Sequence, residues 1–249
     1  RIVGQMVAVI AMGAVAILLL VQGGWIRFSF SQEHARGALR YGVPLVFHGL
    51  GATAVATADR TLISNLVGID ETGKYVVAVQ LAMVITFLAD SFNRAYAPWL
   101  YEKLKEGNSS TLRRIVAGTY WYYAAVLLLA VMLILVAPSL VEYIIGPKFY
   151  GSTKYVFWLS LASAFSGMYY MVTLYIQFSG KTERLAAVTL TVGLLNVLLC
   201  YALIQLNGGI GAAQAAAISQ FLAFTATWAI AARLIDMDWL FRRREAQIR

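Results

Sequence analysis

The stretch Ile115–Ala137, IVAGTYWYYAAVLLLAVMLILVA, runs for twenty-three residues without one charged side chain. As a helix rising about 1.5 Å per residue it is long enough to cross a hydrocarbon core of about 30 Å. Lipid offers backbone amides no partner, so a spanning segment must pair them within itself, and a helix does that where a lone strand does not. Six more runs of the same kind lie around it: Ile2–Gln22, Tyr41–Val67, Tyr75–Leu100, Tyr155–Phe178, Leu185–Leu206 and Ile210–Ile230. Hydrophobic residues make up 60% of the chain and charged ones only 13%, a balance that excludes a water-soluble domain of this size. The expected fold class is an all-α integral membrane protein.

Basic residues fall unevenly between the runs. Arg27, Arg36 and Arg40 precede the second run, and Lys103, Lys105, Arg113 and Arg114 the fourth. Lys181 and Arg184 precede the sixth, and Arg233, Arg242, Arg243, Arg244 and Arg249 follow the seventh. These fourteen face four on the opposite side, namely Arg1, Lys74, Lys148 and Lys154. Such a bias places connections 23–40, 101–114 and 179–184 and the C-terminus in the cytoplasm of a multi-pass protein of the cell inner membrane. The net charge of +8 then reads as a basic face beside an anionic leaflet, and no nucleic-acid partner is expected. The chain opens on Arg1 inside an apolar run, without a cleavage site, so the expectation is no signal peptide and further sequence upstream. A single cysteine, Cys200, excludes an internal disulfide and reads as a small core hydrophobe.

The connections carry their own expectations. Gly68–Gly73 reads as a tight acidic turn, and Asn207–Gly211 as the turn of an antiparallel hairpin. Pro138 is expected to break the fourth run, leaving Ser139–Phe149 as a short amphipathic piece along the interface. Pro44 and Pro98, near the ends of spans two and three, permit a bend or mark a helix end. Trp99, Tyr101, Tyr120, Trp121, Tyr122 and Tyr123 read as interfacial anchors. The small residues of Gly211–Ser219 signal close helix packing, and Asn196 an interhelical hydrogen bond.

Polar residues inside the spans are where function is expected, because a charge at membrane depth costs about 2.5–3.5 kcal/mol on insertion scales. In the second span Gly49, Thr53, Thr57, Arg60 and Ser64 share one stripe at 3.6 residues per turn, and His48 and Asp59 share an adjacent one. Asp59 and Arg60, as neighbours, point about 100° apart, so one of them needs a partner on another helix or a ligand. In the third span Gln80, Phe87 and Arg94 recur on one face, with Ser91 beside them and Asp90 one turn before Arg94. Asp90 and Arg94 are spaced to neutralise each other, so a structural ion pair and a cavity role both stand. His48 fits an interhelical hydrogen bond or a proton relay. No cysteine–histidine cluster, phosphate loop, nucleophile elbow or HExxH pair occurs, so neither an enzyme, a metal site nor a cofactor is expected.

The stretches Leu39–His48, Ala58–Ser64, Gly68, Gly73–Tyr75 and Ala89–Tyr101, followed by Gly146–Tyr150, Gly180–Thr182 and Gly208–Ala213, resemble the polysaccharide-biosynthesis flippases. These are the O-antigen and exopolysaccharide exporters of the MATE-like superfamily, and the likeness runs from about residue 37 onward. It implies two six-helix lobes around a central cavity with alternating access. Residues 1–22 would be the last helix of an N-terminal lobe, 23–40 a cytoplasmic linker, 41–235 the C-terminal six-helix lobe of a MATE-like transporter and 236–249 a basic tail. By the same likeness the substrate is an undecaprenyl-pyrophosphate-linked oligosaccharide, moved to the outer leaflet for lipopolysaccharide or exopolysaccharide assembly. Membrane lipids and a polysaccharide polymerase are the further partners.

Asp59 and Arg60 match the family's Asp-Arg, and Asp90, Asn93 and Arg94 the polar end of the next helix. Desolvated arginine suits pyrophosphate because its donor fork matches phosphate oxygens. With His48 and Gln80 these make the candidate cavity residues. The chain departs from the family at Cys200 and Gln205, which weakens any role for the sixth span. Two other readings stand beside this one: a cation-coupled drug antiporter of the same superfamily, and a membrane-embedded enzyme of glycan assembly.

Overall fold

In a computed structural model of the protein, residues 2–24, 32, 36, 57–235, 237 and 239 are described. All regular structure among them is helical. The first unit carries α1, Ile2–Gln22, which coincides with the first apolar run. The second carries α2, helical over residues 57–66, then α3 (Ile69–Glu106), α4 (Ser109–Leu140), α5 (Thr153–Phe178), α6 (Thr182–Asn207) and α7 (Gly209–Leu234). Five of these helices, α3 to α7, are long and apolar enough to cross a membrane. His48, Pro44 and the first part of the second span lie outside the described residues.

Within the second unit α5 is the central helix. It packs against α3, α4 and α7, while α6 packs along α7. Its buried residues fall on every side, from Tyr155 and Val156 to Tyr175 and Ile176. Close approach of its neighbours needs small residues. A Cβ on Gly167 would lie 2.9 Å from the Cβ of Ala89 on α3 and 3.3 Å from Val126 on α4. At the α6–α7 turn a Cβ on Gly211 would collide with the Leu203 backbone carbonyl. Ala212, Ala213, Ala215 and Ala217 are buried behind it, so the small-residue stretch packs as its composition suggests. Asn196 on α6 donates to Ser219 on α7 over 3.1 Å, the interhelical bond expected of it.

Several connections are shorter than expected. The acidic turn at Gly68–Gly73 reduces to Gly68, whose φ of 134° lies in a region that L side chains rarely adopt. Residues 69–73 already belong to α3, where Asp70 and Glu71 suit the positive end of the helix dipole. Asn207–Gly211 likewise reduces to Gly208 between two helices. At the far end α3 continues through Pro98 to Glu106, stopped by left-handed Gly107. Asn108 then caps α4, its side chain accepting the Ser110 amide at 3.0 Å.

Pro138 does not break the fourth helix. A proline removes one backbone donor and crowds the carbonyl a turn earlier, yet the helix runs on through it to Leu140 and into a π-helical turn, Val141–Ile145. Gly146 ends it, its amide reaching the Val141 carbonyl at 2.9 Å. A 3-10 turn, Pro147–Ser152, leads into α5. There is therefore no separate piece at 139–149.

The aromatic cluster of α4 is also reassigned. Tyr122 and Tyr123 are buried in the core, whereas Trp121 is 78% exposed and remains suited to an interface. Tyr120 donates to the Trp239 carbonyl at 2.6 Å. Trp239 and Met237, the described part of the expected tail, are themselves buried, with the Trp239 ring edge-on to Tyr175 at 5.2 Å.

Candidate functional site

α2 and α3 fold back on each other about Gly68, which brings Asp59 and Tyr75, sixteen residues apart, into contact. The Tyr75 hydroxyl donates to Asp59 Oδ2 at 2.6 Å. The other carboxylate oxygen, Oδ1, accepts the backbone amide of Arg60 at 2.7 Å. Each oxygen therefore accepts one hydrogen bond, one local and one from the next helix. This meets the need for a partner on another helix, and no ion pair joins the carboxylate to the Arg60 side chain. Arg60 itself is half-buried. Its Nε is fully buried and has no hydrogen-bond partner, and no described carboxylate pairs with it. A buried donor left unmatched costs about 1–3 kcal/mol, more when the group is charged.

Tyr75 is seated by a second network. Its ring lies edge-on to Tyr155 of α5, with centroids 5.6 Å apart. The Tyr155 hydroxyl donates to Glu71, which also accepts Lys74 and Lys154, each at 2.7 Å. One carboxylate thus ties the first turns of α3 and α5 together. Cys200 of α6 is buried in the same core cluster as Tyr75, Tyr155 and Ile63.

The third-span candidates divide into two groups. Asp90 and Arg94 form the i,i+4 pair, with Arg94 Nε 2.7 Å from Asp90 Oδ2 and side chains 43% and 80% exposed. Gln80, Val84, Phe87, Ser91 and Arg94 share one exposed face of α3. Asn93 points the other way. It is buried, and its Nδ2 donates to the Ala89 carbonyl at 2.8 Å and to the Tyr122 hydroxyl at 2.9 Å. Tyr122 in turn donates to the Gly167 carbonyl at 3.0 Å, so Asn93 helps lock α3, α4 and α5, while its Oδ1 has no partner. On α2 the exposed positions Thr57, Thr61 and Asn65, flanked by half-buried Arg60 and Ser64, are polar too. The structure therefore joins Asp59 to Tyr75 and to the Arg60 backbone amide, pairs Asp90 with Arg94, and sets Asn93 apart as a packing residue. Sequence reasoning missed Tyr75, Glu71 and Tyr122. Their only early signal was polarity inside or beside apolar runs.

Residues 1–104 match the family described as polysaccharide biosynthesis protein. The chain is similar to the Lsg locus putative protein 1 of Haemophilus influenzae, 25% identical over 159 residues that cover 62% of this chain and 39% of that protein. It is also similar to an uncharacterized membrane protein of the same organism, 24% identical over 148 residues, 59% of this chain and 36% of that protein. The matched part thus spans well under half the length of these relatives. No solved structure matches the chain. The likeness to polysaccharide biosynthesis proteins is thereby shown over residues 1–104, in an all-α, multi-pass membrane protein.

Proposed function

We propose that this chain belongs to a flippase that carries an undecaprenyl-pyrophosphate-linked oligosaccharide from the cytoplasmic to the outer leaflet, by alternating access, for surface polysaccharide assembly. In this reading α2–α7 form the C-terminal six-helix lobe and α1 closes the lobe before it. The connections rich in arginine and lysine face the cytoplasm. The observation that carries the reading is the buried Arg60 Nε without a partner, beside a carboxylate already engaged by Tyr75. A guanidinium kept un-neutralised at membrane depth is what an anionic headgroup requires, since its fork of donors binds phosphate oxygens bidentately. Arg60 is the proposed headgroup-binding residue, and the polar faces of α2 and α3 the wall along which it lies.

A cation-coupled antiporter needs an acid open to the cation. Asp59 is held by Tyr75 and the Arg60 amide, and Asp90 is paired with Arg94, so among the described residues neither serves. The reading is tested in the full-length protein by Arg60→Ala, with surface glycan and membrane protein level measured together. The expected result is at least a tenfold fall in surface glycan at unchanged protein level. Normal glycan output from that variant removes Arg60 from the mechanism and with it the reading.

A further inference from the structure

We infer that Tyr75 is a positioning residue for the anion site, keeping the Asp59 carboxylate from neutralising Arg60; this rests on the headgroup-binding role proposed for Arg60. Tyr75 is 1% exposed, and its hydroxyl serves one acceptor, Asp59 Oδ2, at 2.6 Å. Its ring cannot swing aside, because it is lodged against Tyr155, whose own hydroxyl is fixed by Glu71. The phenol thus holds one carboxylate oxygen while the Arg60 amide holds the other.

Removing the phenol oxygen leaves Asp59 Oδ2 without its donor in a partly buried site. A desolvated carboxylate seeks a replacement, and the adjacent one is the Arg60 guanidinium, whose Nε has none. Attraction between unlike charges is several-fold stronger there than in water, and the arginine side chain is long enough to fold back. Once paired with Asp59, Arg60 presents little net positive charge to a phosphate. An asparagine at position 59 keeps the carbonyl that accepts the Arg60 amide and carries no charge to capture the guanidinium. The damage done by Tyr75→Phe is therefore expected to be reversed by Asp59→Asn.

The test uses the full-length protein in lipid nanodiscs, with inorganic pyrophosphate as the probe in titration calorimetry and thermal melting as the fold control. Wild type binds, and Arg60→Ala binds at least tenfold more weakly. Tyr75→Phe is expected to fall by at least tenfold as well, and Tyr75→Phe/Asp59→Asn to return to within about threefold of wild type. Equal binding by wild type and Arg60→Ala overturns the flippase site and this inference together. A clear Arg60 effect with undiminished Tyr75→Phe binding overturns the inference alone. So does a double variant no stronger than Tyr75→Phe, whether it melts normally or early, since Tyr75 then acts through packing only.

Discussion

Exchanging the charges of Asp90 and Arg94 separates a self-contained ion pair from a pair that serves the ligand. The two side chains are 43% and 80% exposed and joined at 2.7 Å. In water an exposed i,i+4 pair contributes about 0.3–0.5 kcal/mol, and in lipid the pair is worth more, but the swap keeps it paired in either solvent. For a chain of this size 1 kcal/mol moves the melting temperature by roughly 2–4 °C, so Asp90→Arg/Arg94→Asp should melt within about 2 °C of wild type. Arg94→Ala is different. It leaves Asp90 alone on a helix inside the bilayer, where an unpaired charge costs up to about 2.5–3.5 kcal/mol. We expect the swap to keep membrane protein level and surface glycan near wild type, and Arg94→Ala to lower the level of inserted protein. Both are read in the full-length protein by quantitative blotting and glycan staining. A swap that inserts normally and exports nothing would refute the reasoning, because it would show that a positive charge is needed at position 94 itself.

Two substitutions test the packing. Gly211→Ala must part α6 from the start of α7 to restore ordinary nonbonded separation, an overpacking cost of about 1–3 kcal/mol. Its melting temperature in detergent should fall by several degrees. Gly118→Ala, exposed within α4 with nothing within 4 Å of the new Cβ, should instead raise it slightly, since reduced unfolded-state freedom adds about 0.4–1 kcal/mol of stability. Asn93→Leu loses two donated bonds but also removes the unmatched Oδ1; export should survive, and its loss at normal protein level would give Asn93 a ligand role.

What the sequence disclosed follows from how local each feature is. Helix type was legible because lipid leaves the backbone one answer, and α1 ends where its apolar run ends. Helix ends were not, because a run stops at the first charges while a helix need not. Glu102, Lys103 and Glu106 extend α3 past Leu100, with Lys103 bridging to Glu106 within one turn. Pro138 was misread for a related reason, since α4 carries on past the proline to Leu140 and into a π turn. Among site residues the Asp90–Arg94 pair was visible because helical spacing alone creates it. The Asp59–Tyr75 bond was not, since it depends on the fold-back at Gly68, and an expected turn of six residues places Tyr75 differently along α3. Tyr122 was hidden because a tyrosine near a span end resembles an interfacial anchor until Asn93 and Gly167 are brought to its hydroxyl.

The exposed faces of the second unit say which of them lipid can cover. On α4 the outward stripe is Trp121, Leu128, Met132 and Leu135, and on α6 it is Leu190, Leu194, Leu198 and Tyr201. Acyl chains solvate such stripes at no electrostatic cost. On α3 the exposed face mixes Gln80, Ser91 and the Asp90–Arg94 pair with Val84 and Phe87, and on α2 Thr61 and Asn65 stand beside half-buried Arg60. Several polar groups aligned on adjacent helices would multiply a penalty that membrane proteins avoid unless protein or water covers the face. In the proposed reading this side of α2 and α3 is where a charged headgroup finds a wet path, with Arg60 at its border.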